Sequence, residues 1–288
     1  MIYKGLMLTN AMLPSEKDSA LFEWGLDAMV DYDIQLIEFY TPELELSRLY
    51  GKLIRERGYK TIFHSALDQK RSGWCRLCAE DTAVREKSVD FTKVSIEKGI
   101  AAGALKVVVQ SGLYPNDPSF EGVCLEALEK SMCELKRFAG NDVMLSIEPC
   151  DRSLDVRQLI GPALETYSFM KRPGLDGVSL TMDTAHIALT FEDPFEAIKL
   201  CKPFSNHVHI ANCYIDRSHP LFGDKHPLFG VTGGSISDEE AQEMYGKILK
   251  LYSGEELYIS TEMIGRDENL HRYFELMLSS MPWFFAKR

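Results

Sequence analysis

The chain has 288 residues, 45% hydrophobic and 26% charged, with a net charge of -11 and a pI near 5.2. This length suits one α/β barrel or two smaller domains, and the acidity argues against a protein that grips a phosphate backbone. No apolar run approaches the 18 residues of a membrane span, and seven sparse cysteines fit a reduced cytoplasm rather than a disulfide scaffold.

The opening MIYKGLMLTNAML has no basic leader-like region and reads as a first strand over 2–9. Further strands are predicted over 34–40, 60–64, 106–111, 143–148, 177–183, 205–211 and 257–262. Runs such as KVVVQ, VMLSIE and LYISTE are dense in β-branched and large apolar residues, as strands buried on both faces require. Amphipathic helices are predicted near 17–30, 45–57, 81–103, 118–138, 155–171, 193–201, 237–252 and 267–280. VREKSVDFTKVSIEKGIAAGA repeats its apolar residues every three or four positions and ends in a glycine stop. Asp81-Thr82 and Ser237-Asp238-Glu239-Glu240 have the chemistry of helix starts, with acids near the positive end.

Eight strand–helix alternations predict a single (β/α)8 TIM barrel domain over 1–288. A doubly wound nucleotide fold would need a glycine-rich first turn, and LTNAMLPSE has none. Two connections, 65–80 and 212–236, are long and lie on the C-terminal side of their strands, where barrel enzymes carry their chemistry.

Four residues end successive strand runs: Glu148 in SIEPC, Asp183 in TMDTAH, His209 in HVHIAN and Glu262 in STEM. In a closed barrel they converge. One imidazole and three carboxylates suit one divalent ion, Mn²⁺, Mg²⁺ or Co²⁺ with Zn²⁺ also admissible, better than a closed structural zinc site. Such an ion could take a substrate carbonyl and its neighbouring hydroxyl and stabilise the enediolate left by proton removal. Glu148 and Glu262 are the candidate acid/base pair. His64, His186 and His226 are expected on the substrate side of the same mouth. His186 could also serve a second metal. Glu38, ending the second strand run, is a candidate for the site floor. Arg217 could reach a substrate oxygen, and Trp74 could wall a sugar ring. His207 shares a strand face with His209. His219 falls in the seventh loop, and His271 is expected on the surface of the last helix. Cys75 and Cys78 form a lone C-x-x-C without the second pair of a zinc ribbon, so no metal or redox role is assigned to them.

These motifs, with IEFY after the second strand and KVVVQSG at the fourth, resemble the xylose isomerase-like barrel superfamily. That group holds sugar phosphate isomerase/epimerase proteins, ketose 3-epimerases, inosose dehydratases and endonuclease IV. The resemblance implies that Glu148, Asp183, His209 and Glu262 match the 3-epimerase metal ligands, and that His186 matches a substrate-contacting histidine. Ile215 stands where that family has an arginine, and Arg217 comes two residues later. The endonuclease IV pattern maps onto His64, Glu148, Asp183, His186, His209, Asp224, His226 and Glu262. Gln110, however, replaces its metal-bridging histidine. The resulting expectation is a metal-dependent isomerase or epimerase of a small sugar, keto-sugar or sugar derivative. A lyase or dehydratase of keto-sugars or 3-keto-glycosides is the alternative, ahead of an abasic-site nuclease or a non-catalytic sugar-binding barrel. A carbohydrate partner is expected, with no nucleic acid or membrane. The exposed mouth and long loops are compatible with a homodimer or tetramer.

Overall fold

All eight strand runs pair in chain order as parallel neighbours, and the last closes on the first. The strands are β1 (Ile2–Met7), β2 (Leu36–Phe39), β3 (Lys60–His64), β4 (Lys106–Val109), β5 (Met144–Ile147), β6 (Ser179–Asp183), β7 (Ser205–Ile210) and β8 (Leu257–Thr261). The computed structural model describes residues 1–65, 76–265 and 269–288. Among these, the helices are α1 (Leu8–Ala11), α2 (Ser19–Ala28), α3 (Leu44–Glu56), α4 (Thr82–Ala102), α5 (Glu121–Ala139), α6 (Ala163–Met170), α7 (Thr184–Ala188), α8 (Pro194–Cys201), α9 (Asp238–Leu251) and α10 (Leu270–Ser280). The ring is sealed by β1 on β8, in register from Ile2 opposite Leu257 to Leu6 opposite Thr261.

Successive strand side chains alternate between the inside of the barrel and the helical layer. Phe39 and Phe63 face the helices, where Phe39 also meets Phe22 and Tyr50 in a fully buried aromatic cluster. Phe22 and Tyr50 stack with ring centroids 3.8 Å apart. Each such ring contributes about 1.5–3 kcal/mol through burial. A smaller apolar cluster of Leu36, Ile62, Val108 and Tyr258 comes from strands alone and fills the lower barrel. Two residues further along these strands the interior turns polar, at Glu38, His64 and Ser260.

The helix ends follow the sequence chemistry. The Asp81 side chain accepts the Val84 amide hydrogen, and Gly103 closes α4 in the left-handed region at φ 70°. Ser237 and Glu240 form a reciprocal capping box on α9. One predicted helix is much shorter than expected. Residues 155–162 are irregular, and α6 starts only at Ala163. Just upstream, the buried Asp151 carboxylate accepts the amide hydrogens of Leu154, Asp155 and Val156, which diverts them from helical partners. The first predicted strand is also cut short, because Leu8–Ala11 wind into a helical turn. Cys78 is buried and donates to the Leu113 carbonyl. Its motif partner Cys75, like Trp74, lies outside the described residues.

Gly51 lets α3 approach the end of α4: a Cβ there would fall 2.1 Å from the Ala102 carbonyl oxygen. Gly51→Ala is expected to lower stability by about 1–3 kcal/mol, the usual cost of overpacking, in urea unfolding followed by circular dichroism.

Candidate active site

The barrel mouth brings together what the sequence spreads over more than a hundred residues. Glu148 follows β5, Asp183 ends β6, His209 lies in β7 and Glu262 follows β8. One ligand atom from each lies within 4.8 Å of all the others. His209 Nδ1 is 3.2 Å from Glu148 Oε1, 3.6 Å from Asp183 Oδ2 and 2.9 Å from Glu262 Oε2. None of these contacts is aligned as a hydrogen bond from the ring. Glu148 Oε1, Asp183 Oδ2 and His209 Nδ1 are therefore buried without a hydrogen-bond partner. Asp183 divides its oxygens: Oδ1 caps α7 through the amides of Ala185 and His186, while Oδ2 is left for the site. Asn10 donates to Glu262 Oε1, which leaves Oε2 toward His209. Buried acceptors converging on a lone imidazole nitrogen fit a divalent cation with oxygen and nitrogen ligands.

Electrostatics agree with the geometry. Burial opposes charge on His209, yet Glu38 and the three site carboxylates hold its pKa well above the ordinary value. Burial likewise opposes ionisation of Glu262, but His226 and His209 pull it well below the usual carboxylate range. Without an ion, protonated imidazole is the counter-charge to the acids.

The second group of residues rims the same mouth. His226 donates from Nδ1 to the Glu262 carbonyl oxygen, and its Nε2 meets the Asp224 carboxylate. Burial disfavours the His226 cation, but Asp224 and Glu262 raise its pKa well above normal. His226 has φ 42°, a left-handed backbone uncommon outside glycine. His186 Nδ1 lies 3.6 Å from Asp224 Oδ1, and Asp183, His186 and His226 also bring ligand atoms close together. The 212–236 connection that carries Asp224 and His226 is tied at both ends. Asn212 bonds the backbone of Cys213, Leu228 and Ile236, and Asp155 accepts from the Asp224 amide and Lys225 Nζ.

A cavity of about 360 Å³ opens over these groups, lined by Glu148, Glu262, His64, His186, His226, Asp224, Asp155 and Lys225, with Met7, Leu13 and Tyr40 on its apolar side. A larger groove of about 480 Å³ beside Phe191 and Ile215 lies outside the mouth and is lined by none of the four converging residues. Convergence of donors singles out the mouth.

Several sequence expectations change here. Glu38 does not form a substrate-touching floor. It is fully buried one layer below, bonded to His64, His207 and His209. Arg217 is exposed, 5.9 Å over the Phe222 ring, and is not among the cavity-lining residues. His219 stacks on Tyr214, and the exposed His271 stacks on Trp24. Gln110 does line the cavity, where its amide donates to Cys150 Sγ. Asn10, Tyr40, Asp155 and Lys225 escaped the sequence reading. Asn10 stands one position past the predicted first strand, and Lys225 lies between two residues already singled out, so position alone could have flagged both.

The model of the xylose isomerase-like TIM barrel matches residues 21–233. The chain belongs to that family. Among solved structures it is similar to an L-ribulose 3-epimerase, at 20% identity and TM-score 0.69, with 96% of this chain and 86% of that one covered. It is also similar to the 3-keto-D-glucoside 4-epimerase YcjR from E. coli, at 13% identity and TM-score 0.69, covering 98% and 99%. An AP endonuclease of family 2 from Brucella melitensis aligns at 15% identity and TM-score 0.66, covering 94% and 95%. At these identities the likeness is one of fold. No curated protein matches the sequence. Among the described residues, no helix is long and apolar enough to cross a membrane.

Mn²⁺ is expected to raise the melting temperature of the metal-free chain, since a ligand at 100 times its Kd adds about 2.7 kcal/mol to stability. Asp183→Asn keeps the α7 cap but removes the charge. Its Mn²⁺-induced shift in differential scanning fluorimetry should shrink or vanish.

Proposed function

We propose that the chain is a divalent-metal-dependent isomerase or epimerase of a small sugar, keto-sugar or sugar derivative. One observation carries this reading: Glu148 and Glu262 approach the same imidazole nitrogen from β5 and β8, and both line the cavity. Two carboxylates reaching one volume from different strands can remove a proton from one face of a carbon and return it to the other.

Glu148, Asp183, His209 and Glu262 would hold the ion, and their donor set suits Mn²⁺, Mg²⁺ or Co²⁺. When bound, such an ion supplies Lewis acidity to a substrate carbonyl and its neighbouring hydroxyl. The remaining work falls to the chain. Glu262, whose Oε2 faces His209 and which lines the cavity, is the proton acceptor at the carbon beside the carbonyl. Glu148 is its partner on the other side. His64 and His186 line the cavity within reach of substrate oxygens. Met7, Leu13 and Tyr40 give the ring an apolar surface and exclude water from one side. The fold likeness to two sugar epimerases supports the reading.

A second reading, elimination from a keto-sugar or 3-keto-glycoside, is favoured by the Asp224–His226 pair. An imidazole held protonated at the mouth can pass a proton to a leaving oxygen after the same initial proton removal.

Incubating the chain and Mn²⁺ in D₂O with a panel of ketoses and 3-keto-glycosides separates the readings by NMR. A deuterated stereoisomer supports epimerisation, and an unsaturated product with a released alcohol supports elimination. No turnover and no deuterium in any substrate would reject both. Glu148→Gln and Glu262→Gln are each expected to slow deuterium incorporation by about 10²-fold or more. Exchange at the wild-type rate in both variants would remove the acid/base assignment.

A further inference from the structure

Beneath the candidate metal centre lies a carboxylate that the mechanism above does not use. Glu38 is in β2, fully buried, and surrounded by three imidazoles. Its Oε2 accepts from His64 Nε2 at 2.7 Å and from His209 Nε2 at 3.1 Å, while Oε1 accepts from His207 Nε2 at 2.9 Å. Three short contacts, from side chains on two other strands, are close to the full acceptor capacity of one carboxylate.

Hydrogen positions follow from that arrangement. An ionised carboxylate has no hydrogen to give, so each imidazole facing it must carry its own at Nε2. For His207 the other side of the ring is consistent with this assignment. Its Nδ1 is 2.9 Å from Thr181 Oγ1, which in turn is 2.7 Å from Ser146 Oγ. With Nε2–H given to Glu38, Nδ1 accepts from Thr181, and Ser146 supplies the hydrogen that Thr181 then accepts. The chain runs in one direction from Ser146 to Glu38 with every member satisfied.

The same logic acts on His209. Its Nε2 hydrogen is committed to Glu38, so a neutral ring has its lone pair at Nδ1, the atom surrounded by Glu148, Asp183 and Glu262. The stacked ring of His64, 5.3 Å from that of His209, is held from the same oxygen. We propose that Glu38 is the positioning residue of this centre: it fixes the ring orientation and tautomer of His209 so that Nδ1 is presented as a metal ligand. The proposal rests on the metal-centre reading above.

Two substitutions in the full-length chain test it. Glu38→Met removes the acceptor, and Mn²⁺ affinity, measured by electron paramagnetic resonance of free Mn²⁺, should fall by about 10–100-fold. Glu38→Gln keeps one acceptor oxygen but loses the charge, so its affinity should lie between wild type and Glu38→Met. The amide introduced by Glu38→Gln also donates, which should move the His207 hydrogen from Nε2 to Nδ1 and reverse the Ser146–Thr181 chain. Ring ¹⁵N–¹H spectra of the chain loaded with diamagnetic Zn²⁺ read these positions directly. The wild type should show hydrogen on Nε2 of His209, retained in Glu38→Gln. A wild-type ring with hydrogen on Nδ1 of His209 would overturn the proposal even if neither variant folds. Wild-type Mn²⁺ affinity in Glu38→Met would overturn it while leaving the metal centre standing. A wild-type chain that takes up neither Mn²⁺ nor Zn²⁺ would sink both.

Discussion

Negative charge buried at the barrel mouth is the constraint around which the interior is organised. Glu38, Glu148, Asp183 and Glu262 are at most slightly exposed and share a single imidazole, His209, as neighbour. Removing carboxylates from water costs several kcal/mol each unless positive charge or hydrogen bonds replace the lost hydration. Glu38 meets that cost with three imidazole N–H groups. The upper three do not meet it fully with protein groups, since Glu148 Oε1 and Asp183 Oδ2 lack partners. The unfilled demand for positive charge is what makes the mouth a candidate cation site.

This arrangement divides the work between two layers of the barrel. The outer layer, where Phe22, Phe39, Tyr50 and Phe63 pack between sheet and helices, supplies the burial that stabilises the fold. The inner layer is apolar only at the bottom, where Leu36, Ile62, Val108 and Tyr258 meet. Above it the barrel gives up apolar contact for directed hydrogen bonds. Most of the apolar burial is therefore concentrated away from the site.

Loops complete the site by being tied down. Asp151 gathers three successive amides of its own loop, which places Asp155 where it accepts from Asp224 and Lys225. Asn212 joins both ends of the 212–236 connection, and the Ile264 amide donates to the His226 carbonyl. Hydrogen bonds at several points thus fix the path of the loop that carries Asp224 and His226.

The sequence determined a great deal by local rules. Dense apolar runs ending in Glu148, Asp183 and Glu262 exposed both the strands and their chemistry, because β-strand periodicity and strand-end position are properties of a few consecutive residues. Helix caps at Asp81 and Ser237 were legible for the same reason. What lay beyond reach depended on residues far apart in the chain. Glu38 looked like part of the substrate surface because its layer is fixed only by the register of β2 against β1 and β3. Asp151 broke a predicted helix because its side chain could outcompete the backbone, and a helical pattern does not record that competition. Arg217 and Lys225 are near neighbours in one connection, yet only Lys225 lines the cavity, since the path of that loop is set by Asp155 and Asn212. Periodicity is written in neighbouring residues, whereas depth, loop path and hydrogen position are set by contacts that exist only once the barrel has closed.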